Sequence, residues 1–61
     1  MWVITRNDGK VCGVFLTRED CEATLLYDYN KVDTTLTKCL GDKIMEIWKW
    51  NQDLGFWDKY L

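Results

Sequence analysis

Histidine, serine and proline are absent from this 61-residue chain, and cysteine occurs only three times. Without histidine the commonest general base is missing, and without serine one nucleophile is excluded outright. The cysteines, Cys12, Cys21 and Cys39, form no CxxC pair. A structural zinc site wants four thiolate or imidazole ligands, so these thiols cannot complete one, and a disulfide framework would leave one over. They read as three small buried apolar residues of a reducing cytosol, and neither a metal nor a cofactor is expected.

Other absences exclude further classes. No apolar run approaches the roughly 18 residues of a membrane-spanning helix. Met1-Trp2-Val3-Ile4 enters a strand pattern with no basic or apolar leader region, so a cytoplasmic protein with no membrane partner is expected. Eight basic and ten acidic residues are scattered to a net charge of −2, and no basic run offers a phosphate backbone a track. Gly9 and Gly13 are no phosphate loop, since the third glycine and its lysine are missing. Carboxylate pairs such as Asp20/Glu22 and Asp53/Asp58 read as solvated surface acids.

Aromatic residues are what the chain has in excess: four Trp, three Tyr and two Phe. Trp48, Trp50, Phe56, Trp57 and Tyr60 all fall within the last fourteen residues. A chain this short forms a single domain, 1–61, which buries only about 60% of its unfolded surface. Its core cannot easily hold every ring.

The order of elements follows from local chemistry. Residues 2–6 are β-branched and aromatic, Asn7-Asp8-Gly9 is a turn signal, and residues 11–16 make a returning strand. A two-residue turn on Asp8-Gly9 puts Trp2, Ile4, Val11 and Phe15 on one face. A three-residue turn with Gly9 left-handed groups Trp2 and Ile4 with Cys12, Val14 and Leu16, and Asn7-Asp8-Gly9 favours it. Gly13 marks a bulge or close packing against an aromatic. Thr17 is a fitting N-cap, with Glu19 and Asp20 in the first turn of a helix over 17–30. Cys21, Leu25 and Tyr29, with Leu26 beside them, form its core stripe.

Residues 34–50 read as a second hairpin around Gly41-Asp42, with a helix from Asp42 as the competitor. The aromatic tail, 51–61, forms a short last strand or a helical turn. The fold class is α+β: a ββαββ domain, a four-stranded, mainly antiparallel sheet with one helix on one face. One helix covers one face, so the other is expected to carry an apolar patch anchored by the C-terminal rings.

The segment Trp2-Val3-Ile4-Thr5, then Asp8-Gly9-Lys10-Val11-Cys12-Gly13-Val14-Phe15-Leu16-Thr17-Arg18-Glu19-Asp20-Cys21-Glu22-Ala23, resembles the start of many small uncharacterised phage and bacterial proteins. Those show a hairpin tipped by Asp-Gly, then Gly-Val-Phe, then a Thr/Ser-Arg-Glu helix start. The resemblance implies a ββα fold and a phage origin; it implies no activity and no site residues. Many such phage proteins bind and inhibit a host enzyme or defence complex, and a host protein is the partner it suggests.

The first functional expectation is therefore a non-catalytic protein-binding module, an inhibitor or regulator, with Trp48, Trp50, Phe56, Trp57 and Tyr60 as binding residues. Self-association as a homodimer would use the same surface. A homo-oligomeric structural or accessory protein comes second. Third is a weak single-stranded nucleic-acid binder, with rings stacking bases and Lys38, Lys43, Lys49 and Lys59 on the backbone.

Overall fold

The computed structural model describes the backbone of residues 1–61 and every side chain except those of Asp28 and Tyr29. Five strands and two short helices follow one another: β1 (Trp2–Arg6), β2 (Val11–Phe15), α1 (Arg18–Thr24), α2 (Asp28–Lys31), β3 (Thr34–Leu40), β4 (Lys43–Asn51) and β5 (Phe56–Lys59). The strands form one sheet in the order β2-β1-β3-β4-β5, antiparallel at every step. The chain is thus α+β, with five strands where four were expected; β5 is the strand formed by the aromatic tail. Lys43–Asn51 is strand, where a helix from Asp42 was the competitor.

The first hairpin has the expected three-residue turn. Arg6 and Lys10 close it through Arg6 N–H donating to Lys10 O (2.9 Å), and Gly9 adopts φ +88°. The expected grouping of side chains does not follow, however, because the register slips again between Ile4 and Thr5. Cys12 is the extra residue, Ile4 faces Gly13, and Trp2 faces Phe15. One bulge residue swaps faces, so Phe15 joins Trp2 and Ile4, while Val14 goes to the other side. Gly13 permits this: a Cβ there would stand 2.6 Å from Phe15 Cε2, so the ring lies over the glycine.

Thr17 caps α1 as its chemistry suggests, its hydroxyl accepting from Asp20 N–H at 3.2 Å. The helix expected over 17–30 breaks after Thr24 and resumes as α2. A continuous helix of that length would run about 21 Å, the full width of a molecule measuring 32 × 22 × 21 Å. The break instead returns the chain to Thr34, paired with Arg6. Leu25 turns inward at the break while Leu26 stays exposed, and the Tyr29 side chain lies outside the described residues.

The core is small. Ile4, Leu36 and Cys21 are fully buried, joined by Trp2, Leu25 and Trp57, with Phe15, Trp48 and Trp50 packed against them. Register puts Trp2 and Ile4 (β1), Leu36 (β3), Trp48 and Trp50 (β4) and Trp57 (β5) on one face. That is the face on which α1 lies, over β1 and β2. Among the described residues no helix is long and apolar enough to cross a membrane.

Candidate protein-binding surface

The five C-terminal rings separate by strand alternation. Trp48, Trp50 and Trp57 lie on the helix face, so the expectation that the indoles occupy the uncovered face is corrected. Trp57 is a core residue at 9% exposure, its ring meeting Trp50 edge-on with centroids 5.2 Å apart. Trp48 and Trp50 are half-buried and capped by cations, Arg18 4.2 Å above the Trp48 ring and Lys31 4.5 Å above that of Trp50. Phe56 and Tyr60, at 50% and 64% exposure, are on the opposite side of the sheet.

A polar network surrounds Trp48. Its indole N–H donates to Glu46 Oε1 at 3.0 Å, and Glu46 lies 3.4 Å from Lys38 Nζ and 3.9 Å from Lys59 Nζ. The indole hydrogen bond, then the lysines, hold the Glu46 carboxyl below its ordinary range, against an opposing effect of burial. Arg18 Nε is buried 3.3 Å from Glu22 Oε1, in an ion pair without hydrogen-bond alignment.

The uncovered face is different in kind. One row runs straight across the sheet: Val14 opposite Val3, Val3 opposite Thr37, and Thr37 opposite Ile47. Tyr60 extends it, its N–H donating to Ile47 O at 2.7 Å. The row beside it holds Met1, Cys39 and Ile44. Met1 and Cys39 exchange backbone hydrogen bonds of 2.8 and 3.1 Å, and Cys39 pairs with Ile44. No side chain in either row is charged. On the other flank lies Val11-Thr5-Thr35-Lys49-Asp58, where a cation and an anion sit directly opposite.

Sequence reasoning found Tyr60 of this surface but missed Val3, Val14, Cys39, Ile44 and Ile47. Alternation through β1 and β4 is the signal that carries most of them, as every second residue of Met1-Trp2-Val3-Ile4 faces away from the core. Val14 was hidden by the bulge at Cys12.

The thiols also differ from expectation. Cys21 is buried, Cys39 is half-buried, but Cys12 is exposed, because a bulged residue on an edge strand has nothing to pack under. All three are free. Burial, then Asp20 and Glu22, push the Cys21 thiol up, which keeps it protonated and inert. Among the described residues no group of three or more His, Cys, Asp or Glu could hold a metal ion, and no pocket is present. Comparison with protein-family models, with curated proteins and with solved structures gives no match.

Proposed function

We propose that this protein is a non-catalytic protein-binding module that works through the open face of its sheet. The observation that carries the reading is the pair of rows, without a charged side chain, centred on Thr37 and Cys39. Val14, Ile44 and Tyr60 within them are all more than half exposed. Contiguous, largely apolar surface on a small domain marks an interaction site.

The carboxylates support a non-catalytic role. Glu46 is held by Trp48 and two lysines, Glu22 pairs with Arg18, and Asp58 accepts from Asn51 Nδ2 at 2.8 Å. None faces a cavity in which a substrate would be desolvated. The nucleic-acid reading loses its stacking platforms, since cations already cap Trp48 and Trp50, and Lys49 lies 5.0 Å above the Tyr60 ring. A small module with a flat apolar face suits an inhibitor or regulator that acts by covering a surface of its target.

The test is capture from a lysate of the cell that makes the protein. Bait carrying Val14→Lys should lose the partner, while bait carrying Lys59→Ala on the helix face should retain it. Equal capture by both variants would refute the assignment of the open face.

A further inference from the structure

We propose that the open face is closed by a second copy of this chain, the two sheets packing face to face about a two-fold axis along β3. This rests on the open face being the binding surface, for which a second copy and a foreign target would compete. Strands about 4.8 Å apart and some six residues long give this face roughly 24 × 20 Å, so two copies would bury on the order of 1,000 Å² or slightly more. That is the lower bound for a specific interface, and a dissociation constant in the micromolar range is expected.

The arrangement of residues makes the face complementary to itself. β3 is the middle strand, so the axis sets β1 against the partner's β4 and β2 against its β5. Val3 then meets the partner's Ile47, apolar on apolar, and Val14 meets the partner's Tyr60, whose ring Lys49 covers at 5.0 Å, while Thr37 and Cys39 each meet their own copies. Lys49 and Asp58 face the partner's Thr5 and Val11 and offset each other as a directly opposed cation and anion on β4 and β5. The axis along β3 needs only the roughly 30° crossing that twisted sheets adopt. With only Ile4, Leu36 and Cys21 fully buried, a second sheet also supplies the core that so short a chain cannot build alone.

Cys39 gives the test. In a Cys12→Ser variant it is the one accessible thiol, since Cys21 is buried. Sheets about 10 Å apart bring two facing Cys39 thiols within reach of a short bis-maleimide. Crosslinked dimer should appear on a denaturing gel, and the protein should sediment as a dimer at roughly 100 µM. Val14→Lys, or Tyr60→Lys should the first fold poorly, should weaken the dimer roughly ten-fold or more while leaving the circular dichroism of the fold intact.

A wild-type monomer at that concentration, with no Cys39 crosslink, overturns the proposal. So does a dimer that ignores Val14→Lys and does not crosslink, because the copies then meet elsewhere. If the protein is a monomer but Val14→Lys abolishes lysate capture, the open-face reading stands and self-association alone fails. If capture is also unaffected, both fall.

Discussion

Trp57 and Phe56 are chain neighbours on β5, yet they point to opposite faces, and replacing each by alanine separates core from surface. Trp57 is 9% exposed and touches Trp50; Phe56 is 50% exposed. Removing a buried Trp costs about 3–5 kcal/mol, a figure that includes the roughly 0.5–1.5 kcal/mol of its edge-on ring pair. Full burial of a Phe is worth about 1.5–3 kcal/mol, so half of it amounts to about 1 kcal/mol. A domain of this size holds on the order of 3–5 kcal/mol in total. Trp57→Ala should therefore leave almost no folded protein at 25 °C, while Phe56→Ala keeps most of it. Urea titration followed by far-ultraviolet circular dichroism, at concentrations low enough to keep the chain monomeric, measures both. The reasoning is refuted if the two losses are equal or if Trp57→Ala folds as well as wild type.

Other consequences are as direct. Gly9→Val forces a β-branched residue to φ +88° and should cost about 1–2 kcal/mol, read from the urea midpoint. Thr17→Ala removes the cap on Asp20 N–H and should cost about 1 kcal/mol, and no change would deny the cap any role. Glu46 titrates lower folded than unfolded, so its stabilisation is present above the unfolded value and is lost as pH falls through the folded one. Glu46→Gln should flatten the acid side of the stability curve, and parallel curves would contradict this. Cys12 should react first with a thiol reagent and Cys21 only on unfolding; early labelling of Cys21 would show that its site opens.

Much of the fold was legible because local signals agreed. Asn7-Asp8-Gly9 and Thr17 each impose a geometry through their own side chains or lack of one, and both appear as read. The strand from Lys43 was harder: Ile44, Ile47 and Trp48 fit helical spacing, and only pairing with β3 decides the matter. Gly13 was expected to mark a bulge or close packing against an aromatic, and it does both: the bulge falls beside it at Cys12 and the Phe15 ring lies over it. What the sequence did not show is that this bulge carries Phe15 to the core face. The placement of the indoles depends on the same step, because the sequence could not say which face α1 would choose. The C-terminal rings were expected on the uncovered face, but Trp48, Trp50 and Trp57 lie on the covered one. The surface is therefore built of modest residues such as Val3, Thr37 and Ile47, which composition does not single out.

The β1–β3 seam joins two bodies, which Arg18 over Trp48 and Lys31 over Trp50 also bridge. Residues before the α2–β3 junction bring Trp2, Ile4, Cys21 and Leu25; those after it bring Leu36, Trp48, Trp50 and Trp57. Neither body encloses a core, and each ends in a bare strand edge that only the other satisfies. Val32 and Asp33 thus act as a tether, holding two complementary partners at an effective concentration on the order of millimolar. A chain cut at that tether should become a pair of fragments that assemble on mixing, with the β1–β3 seam as their interface.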